Sequence, residues 1–363
     1  MLDDLVRELV GDRAGEWDLA GELPEDVLEE LGKRGLLCAQ VPVEHGGLGM
    51  SSLANGEFTA FVGSLCSSLR SVMTSQGMAA WTIQRLADAP QRREFLPRLA
   101  AGARAAVAFS EPGAGSDLSG IGTRVRIEGD HAVLDGHKTW TTAAHYADLL
   151  LVVARHGDAG AVVVVPADAP GVTVERVADP LGCRAAGHAH LTFDDVRVPV
   201  SHVLAGGGQP LPMLVTTALA YGRMSVAWGC VGILRACLAA VTGHAAVREQ
   251  FGTPLANHQL VAAHIADLLV AERTATLVCE RASELWDAGS PESVVATVLA
   301  KHVGATRAAE AASTAVQVLA SAGARDGHVV ARAYRDAKLM EIIEGTNEIS
   351  LLVLADHAMR ASR

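Results

Sequence analysis

Two apolar runs near the middle of the chain, LLLVVA at residues 149–154 and AVVVV at residues 161–165, decide the fold class. Residues 155–160 (RHGDAG) between them have the composition of a turn, so the two runs predict a pair of adjacent strands. Short β-type runs also occur on both sides of this pair, at residues 106–109, 125–127, 132–134, 172–177 and 190–193. Strands joined by short turns, without helices between them, predict an antiparallel sheet or barrel and not a doubly wound one.

Helical periodicity replaces the β pattern on both sides of this region. Val27, Leu28 and Leu31 hold one face of a predicted helix in the first part, and long amphipathic stretches follow Leu211. Helices of that length usually pack as a bundle. The sequence therefore predicts an α+β protein with three parts, namely an N-terminal helical domain at 1–104, a middle antiparallel β domain at 105–208 and a C-terminal helical bundle at 209–363.

Composition limits the possible partners and locations of the protein. The chain has 363 residues, half of them apolar, and its net charge of −11 argues against a protein that binds the phosphate backbone of nucleic acids. The six cysteines have neither C-x-x-C nor zinc-site spacing, which indicates buried thiols in a reducing compartment and no metal site. Residues 1–10 are too charged for a signal peptide, and Arg223 and Arg235 leave only 224–234 uncharged between them. We expect a cytoplasmic protein without a membrane span.

A glycine-rich loop is the first candidate site. Residues 108–117 (AFSEPGAGSD) leave a predicted strand, and their glycines allow backbone N–H groups to approach an anion. Ser110 and Ser116 add hydroxyl donors, so a phosphate or the edge of a cofactor ring could bind here. The loop is not a G-x-G-x-x-G that opens a helix, so a Rossmann site is not supported. An ordinary exit from a strand explains the same residues equally well.

Residues 138–142 (KTWTT) form a second candidate. Only 4% of the chain is aromatic, so a tryptophan flanked by threonines at the end of a β run is conspicuous. Trp140 can be simple sheet packing, or it can be a flat wall against a planar cofactor with Thr142 as a hydrogen-bond donor.

The third candidate is the carboxylate of Glu344 in residues 341–349 (EIIEGTNEI). Gly345 and Thr346 break the helical pattern after it and can present the side chain to a cavity. Apolar surroundings raise the pKa of a carboxyl group, which makes it a useful base near neutral pH. A solvated glutamate at a helix end is the simpler alternative.

The order and spacing of these motifs resemble the acyl-CoA dehydrogenase family. The matching segments are SEPGAGSD at 110–117, K-x-W-x-T at 138–142, REQFGTPLANHQ at 248–259, YRDAK at 334–338 and EGTNEI at 344–349. The resemblance extends over nearly the whole chain. It implies an N-terminal helical domain, a β-barrel-like middle domain and a C-terminal four-helix bundle, with FAD bound between the last two.

The resemblance also implies roles for individual residues. Glu344 matches the family's catalytic base, which removes the α-proton of an acyl thioester while the β-carbon delivers hydride to flavin N5. Arg223 matches a family arginine near the base and the substrate. An arginine on a helix that only forms a salt bridge would explain the same residue. The cofactor-binding residues implied by the match are Phe109, Ser110, Gly115, Ser116, Trp140, Thr142, Arg248, Phe251, Leu255, His258, Gln317, Ser321 and Thr346.

Part of this set implies an oligomer. Arg248, Phe251, His258 and Gln317 match residues that reach the FAD of a neighbouring subunit, so the resemblance implies a homodimer or homotetramer. Without the family resemblance, Gln317 would be interpreted as a solvated polar residue on a helix of the bundle.

Several departures from the family pattern concern the substrate. Ala220 stands where family members commonly carry an acidic residue that contacts pantetheine. Further departures occur at Ala143-Ala144, Ala320-Ser321 and Leu351. The predicted pocket wall at residues 67–76 is polar for an alkyl chain, and we assign Thr74 and Gln76 on it, together with Arg223, to the substrate.

These departures resemble the acyl-CoA-dehydrogenase-like enzymes of polyketide clusters that help make hydroxymalonyl and methoxymalonyl acyl-carrier-protein extender units. There a small polar three-carbon group on a carrier protein is oxidised. The sequence thus predicts an enzyme that takes an acyl thioester, on a carrier protein or on CoA, and passes electrons to an acceptor. One feature argues against a carrier, because carrier proteins are acidic and this chain shows no obvious basic patch.

Three other functions remain open at this point. The first is a conventional short-chain acyl-CoA dehydrogenase. The second is a non-catalytic flavin-binding or carrier-docking protein, which would need neither Trp140 nor Glu344. The third is flavin-dependent oxygenation, which the same fold supports.

Overall fold

The computed structural model describes residues 2–361. Its first part is helical, as predicted, and consists of α1 (Leu2–Val10), α2 (Ala14–Ala20), α3 (Glu25–Lys33), α4 (Ser52–Leu65), α5 (Ser67–Leu86) and α6 (Ala89–Ala100). Local chemistry sets several of these bounds: Ser51 caps α4, and Asp88 and Gln91 form a capping box at the start of α6. Helix α5 is buried along most of its length because it lies between the other helices, the sheet and the last domain.

The middle part is a seven-stranded sheet. Its strands are β1 (Ala105–Ala108), β2 (Arg124–Glu128), β3 (His131–Thr141), β4 (Leu149–His156), β5 (Ala159–Pro166), β6 (Val172–Arg176) and β7 (Ala189–Pro199). Strands β4 and β5 pair in antiparallel register from Leu149 opposite Pro166 to His156 opposite Ala159, which confirms the predicted pair. Both strands are almost fully buried, and this burial explains their continuous apolar sequence.

The sheet is not purely antiparallel, and in this respect the prediction was wrong. Strand β1 pairs with β4 in parallel, and β2 meets β4 at one parallel position, Arg124 opposite Arg155. The other pairings, β2–β3, β3–β7, β7–β6 and β4–β5, are antiparallel. The parallel pair arises because β1 comes directly from α6 and its chain leaves through the long loop before β2, so no hairpin ties β1 to its partner.

The last part is a helical bundle. It contains α7 (Leu211–Val247), a small hairpin of β8 (Glu249–Gln250) and β9 (Thr253–Pro254), α8 (Gln259–Asp287), α9 (Ser293–Leu319), α10 (Val329–Met340) and α11 (Asn347–Ala361). Helix α9 packs on α7, α8, α10 and α11, helices α8 and α10 also pack on α7, and α7 packs on α4 and α5. We propose domain boundaries at 104/105 and 208/209, which fall just before β1 and just before α7.

Helix α7 is the central helix of this bundle. Its length and apolar composition would be sufficient to cross a membrane, but 72% of its most apolar stretch is buried in the protein. Trp228 at its middle is fully buried, and its indole N–H donates to Ser283 on α8 at 3.0 Å. A core helix shared by two domains explains the apolar sequence.

Candidate active site

Glu344 lies in the turn between α10 and α11, with its backbone in the left-handed region at φ +56°. The turn places the carboxylate against the backbone of α7, because a Cβ atom at Gly222 would come within 2.2 Å of Glu344 Oε2. That oxygen is buried and has no hydrogen-bond partner within residues 2–361. Burial raises the pKa of Glu344 to about 7, although the charges of Arg223, Lys301 and Arg70 act in the opposite direction.

Two cations hold the backbone of this turn. Arg223 on α7 donates from Nε to the carbonyl of Glu344 at 3.0 Å, and Lys301 on α9 donates from Nζ to the carbonyl of Gly345 at 2.8 Å. Lys301 is fully buried, and burial lowers its pKa to about 8. The turn is thus fixed through its carbonyls while the Glu344 carboxylate stays free for chemistry. Sequence reasoning missed Lys301, although a lysine inside an apolar, alanine-rich helix was a usable signal.

The raised pKa of Glu344 predicts the pH dependence of the reaction. The base predicted at Glu344 would react as the carboxylate, so we expect the rate of flavin reduction by substrate to rise as pH increases through about 7. The effect on stability has the opposite sign, because the folded state favours the protonated form. The stabilisation of the folded state by protonated Glu344 is fully present below the ordinary carboxyl pKa of 4.5, and it is lost as pH rises through about 7. Anaerobic flavin reduction measured across this range checks the prediction, and a rate that is flat from about pH 5.5 to about pH 8.5 contradicts it.

Trp140 and its neighbours present a flat, partly open face on the β domain. Trp140 lies at a register shift in β3 with φ +54°, and its side chain stays 52% exposed. Thr142 Oγ1 lies 3.2 Å from His188 Nδ1, while His188 Nε2 and Thr141 Oγ1 are buried and have no partner within residues 2–361. Burial lowers the pKa of His188 to about 4, so its ring is neutral. The open aromatic face of Trp140, with Thr142 and His188 close to it, fits a flat ring with polar edges, such as a flavin.

The glycine-rich loop lies near this face. Ser110 accepts a backbone hydrogen bond from Thr139 at 2.8 Å, which ties the loop to the strand that carries Trp140. Gly115 and Ser116 are exposed, and nothing lies within 4 Å of a Cβ atom built on Gly115. Phe109 is half-buried against the core. The open backbone of the loop fits a phosphate-bearing ligand.

A buried ion pair holds this loop in place. Lys138 Nζ donates to the Phe109 carbonyl and to Glu111 Oε1, each at 2.8 Å. Desolvation would raise the pKa of Glu111, but hydrogen bonds from Lys138 and from the loop segment at Gly122 and Thr123 lower it to about 2. Both charged residues fell inside quoted motifs, but sequence reasoning gave neither a role. The pair links the glycine-rich loop to the strand of Trp140.

Loss of this pair should cost stability and cofactor retention together. The Lys138 side chain is 0% exposed and that of Glu111 is 10% exposed, so Lys138→Met leaves a buried carboxylate without its cation. Breaking such a pair typically costs about 3–5 kcal/mol. We expect a lower melting temperature and a lower FAD content in the purified protein.

The matched control is Lys33→Met, which removes an exposed lysine that pairs with Glu29 on α3. It should leave the melting temperature and FAD content unchanged. Equal, small changes in both variants would show that the buried pair does not hold the loop.

Of the remaining predicted cofactor residues, Thr346 lies in the Glu344 turn and the others lie on the β8–β9 hairpin, the segments beside it and the end of α9. Arg248, Phe251, Leu255 and His258 lie on the β8–β9 hairpin and the short segment after it, where Phe251 is 97% exposed. His258 Nε2 lies 3.1 Å from the Gln250 carbonyl. Gln317 and Ser321 are exposed at the end of α9, and Thr346 caps the start of α11 through a 3.3 Å contact with the backbone N–H of Ile349. The roles of these residues toward FAD stay predictions.

The structure removes Gln76 from the predicted substrate wall. Its amide group donates to the Ala103 carbonyl at 2.7 Å and accepts from the Ala105 N–H at 2.6 Å, so it joins α5 to the start of β1. Thr74, two residues earlier, lies on another face of α5 and contacts Ser225 on α7, with the two hydroxyl oxygens 2.7 Å apart. One helix cannot present both residues to one pocket, because two positions along a helix differ by about 200°.

Comparison with known proteins identifies the class that this fold and site define. Models of the N-terminal, middle and C-terminal domains of acyl-CoA dehydrogenase match residues 1–103, 106–196 and 213–359. The chain belongs to the acyl-CoA dehydrogenase family, whose members are FAD-dependent oxidoreductases. The predicted family, three-part fold and cofactor are confirmed.

Three proteins of known name show how similar the chain is to individual enzymes and structures. The solved structure of FkbI, for biosynthesis of the methoxymalonyl extender unit of the polyketide immunosuppressant Fk520, is 66% identical with a TM-score of 0.95 and covers 99% of both chains. A glutaryl-CoA dehydrogenase from Mycobacterium smegmatis in complex with FADH2 is 27% identical with a TM-score of 0.90, covering 98% of this chain and 93% of that chain. The mitochondrial short-chain specific acyl-CoA dehydrogenase of Mus musculus is 32% identical over 96% of this chain and 86% of its own length.

Proposed function

We propose that this protein is a cytoplasmic FAD-dependent dehydrogenase that oxidises a small polar acyl group held as a thioester on an acyl carrier protein. The product would serve a polyketide extender unit of the methoxymalonyl type. The observation that carries this proposal is the 66% identity to FkbI over 99% of the chain, about twice the identity to the short-chain specific enzyme. Ala220, in place of a common pantetheine contact, agrees with a substrate other than ordinary acyl-CoA.

The chain's own residues perform the proton transfer in this proposal. Glu344 accepts the α-proton of the thioester at a buried carboxylate oxygen that no protein group occupies. Arg223 and Lys301 fix the turn that carries Glu344, and their charges favour its ionised form before reaction. A positioned base of this kind contributes about 10²- to 10⁴-fold to the rate. FAD, when bound, supplies the two-electron acceptor for the β-hydrogen.

The residues that would hold FAD come from two regions. Trp140, Thr142 and the loop with Ser110, Gly115 and Ser116 would hold it from the β domain, and Thr346 from the start of α11. Arg248, Phe251, His258 and Gln317 would reach the FAD of a second copy, and Leu255 and Ser321 would add further contacts to FAD. The 97% exposure of Phe251 agrees with this assignment, since the ring is accessible to a second copy. The proposed assembly is therefore a homodimer or homotetramer, served by a separate electron acceptor.

A conventional short-chain acyl-CoA dehydrogenase is the second candidate. The net charge of −11 favours it, because an acidic enzyme repels an acidic carrier protein. Under this alternative CoA thioesters would be better substrates than carrier thioesters.

Product mass tests the reaction type. Purified holoenzyme is given a hydroxylated three-carbon acyl group on a carrier protein, and the phosphopantetheine arm is analysed by mass spectrometry under ¹⁸O₂. Dehydrogenation predicts loss of two hydrogens without label. Incorporation of ¹⁸O would establish flavin-dependent oxygenation instead, and an unchanged acyl group with every thioester supplied would support a non-catalytic flavoprotein.

A further inference from the structure

His188, just before β7, is a buried histidine with one ring nitrogen unpaired. Its exposed fraction is 9%, and its Nδ1 lies 3.2 Å from Thr142 Oγ1. Its Nε2 is buried and has no hydrogen-bond partner within residues 2–361. The two segments are tied together, since the Ala143 N–H donates to the Ala186 carbonyl at 3.0 Å. A buried polar atom in so fixed a position is costly unless a ligand pairs with it.

Two other histidines of the same sheet pair with threonines but are more open. His137 Nδ1 lies 3.1 Å from Thr192 Oγ1, and His190 Nδ1 lies 2.7 Å from Thr139 Oγ1. His137 is exposed and His190 is half-buried, so water can satisfy the second nitrogen of each ring. His188 is the member of this set whose second nitrogen needs a partner from a ligand.

His188 lies where the β domain meets the Glu344 site. Ser75 of α5 donates to the Thr142 carbonyl at 3.0 Å and so ties the partner of His188 to this helix. Three residues later, Met78 lies beside the same glycine of α7 as the Glu344 carboxylate does. Positions three apart on a helix are neighbours about 5 Å apart. The Thr142–His188 pair and the base therefore approach neighbouring positions of α5.

The unpaired nitrogen faces the interior and not the open face of Trp140. The Trp140 ring is half-exposed and its centroid lies 5.9 Å from that of His188, whereas His188 Nε2 is closed to solvent. After burial, the charge of Arg70 is the second cause that lowers the pKa of His188. Arg70 is buried between α5 and Gly229 of α7, so the ring of His188 is within electrostatic range of the interior beside α7.

The chemistry of the ring defines the partner that fits. Burial lowers the pKa of His188 to about 4, so the imidazole is neutral and has one N–H donor and one acceptor. Nε2 takes whichever role Nδ1 does not use with Thr142. A hydroxyl group both donates and accepts, so it pairs with Nε2 in either tautomer. A methyl group does neither and would leave the nitrogen unpaired.

We propose that His188 is a specificity-determining residue whose Nε2 binds a hydroxyl group on the β-carbon of the acyl thioester. The inference rests on the proposed function, since it places the α-carbon at Glu344 and the β-carbon toward the flavin. It deepens that function by naming the substrate class, which is a short acyl thioester with a β-hydroxyl group. Acyl groups of the same size without this hydroxyl are disfavoured, because they leave a buried polar atom without a partner.

Ligands of equal shape test this contact. The 3-hydroxypropionyl and butyryl groups differ only in a hydroxyl or a methyl group on the β-carbon, and the lactyl and isobutyryl groups carry the same difference on the α-carbon. Thioesters of all four are titrated into Glu344→Gln holoenzyme, in which turnover is suppressed. Binding is followed by the perturbation of the flavin visible band. Each acyl group is presented both on CoA and on a carrier protein.

Two amide variants, made in this background, separate the two nitrogens of His188. Asparagine places a polar atom near the position of Nδ1, and glutamine places one near that of Nε2. We expect 3-hydroxypropionyl to bind more tightly than butyryl, and His188→Asn to weaken its binding by about 10- to 100-fold while butyryl changes by less than about threefold. His188→Gln should keep most of the preference.

Three results would overturn the proposal: no preference for 3-hydroxypropionyl before mutation of His188, a preference confined to lactyl over isobutyryl, or the same ratio of affinities in both amide variants. The first two and His188→Gln keep the test decisive if His188→Asn does not fold. The control is His137→Asn, which changes an exposed histidine with a similar threonine contact and should alter neither affinity.

The FAD content of each variant distinguishes a substrate hydroxyl from a polar group of the cofactor. Loss of FAD in His188→Asn with an unchanged ratio of affinities would show that Nε2 serves the cofactor, and it would overturn the proposal. Preference for carrier over CoA tests the proposed function, whereas preference for hydroxyl over methyl tests His188. The two failures are therefore distinguishable.

Discussion

Glu344→Gln is expected to slow flavin reduction by the acyl thioester by about 10²- to 10⁴-fold, the usual contribution of a positioned base. The amide has the shape of the carboxylate but cannot accept the α-proton. The fold should tolerate the change, because Glu344 Oε2 has no hydrogen-bond partner to lose within residues 2–361 and burial already raises the pKa of the carboxyl group to about 7. Anaerobic stopped-flow measurement of the flavin visible band gives the rate directly.

The control for this variant is Glu348→Gln, which changes an exposed glutamate four residues later in the same motif. It should reduce flavin at the wild-type rate, and both variants should retain FAD and the wild-type melting temperature. Turnover of Glu344→Gln at the wild-type rate would show that another group is the base.

Gly222→Ala is expected to produce a comparable loss without removing any functional group. The added Cβ atom would lie 2.2 Å from Glu344 Oε2 and 2.7 Å from the Met78 Cε atom, so the carboxylate must move away from α7. Displacement of a catalytic group by about 1 Å can cost about 10²-fold in rate. We expect at least that loss in anaerobic flavin reduction, with FAD content preserved.

Gly243→Ala is the matched control on the same helix. Nothing lies within 4 Å of a Cβ atom at position 243, so this alanine meets open space. It should leave the rate unchanged and raise stability by about 0.5–1 kcal/mol, the usual gain for alanine over glycine inside a helix. A wild-type rate in Gly222→Ala would mean that the carboxylate does not react from its position against α7.

Local sequence patterns predicted the elements of the fold better than their pairing. The buried runs that became β4 and β5 could be located because strands buried on both faces are continuously apolar. The parallel pairing of β1 with β4 could not be predicted, because it depends on how α6 delivers the chain to the sheet. Register and neighbour choice are tertiary properties in a sheet of this kind.

In the candidate site, too, residues in local motifs could be predicted from the sequence, whereas contacts between distant residues could not. Glu344 and Trp140 could be proposed because each lies in a motif of unusual composition, and the family resemblance then gave them roles. The hydrogen bond from Lys301 to the carbonyl of Gly345 joins residues 44 positions apart, and no local sequence pattern predicts such a contact. Gln76 was misplaced for a related reason: a polar residue on a buried helix can satisfy the backbone of a neighbouring element instead of facing a pocket.

The proposed function is tested most directly by anaerobic reduction of the oxidised holoenzyme by one hydroxylated three-carbon acyl group, presented in parallel on a carrier protein and on CoA. We expect rapid bleaching of the flavin visible band by the carrier thioester, slower bleaching by the CoA thioester, and loss of both in Glu344→Gln. Rapid bleaching by butyryl-CoA or isobutyryl-CoA, with none from the carrier thioester, would contradict it and establish a conventional short-chain acyl-CoA dehydrogenase.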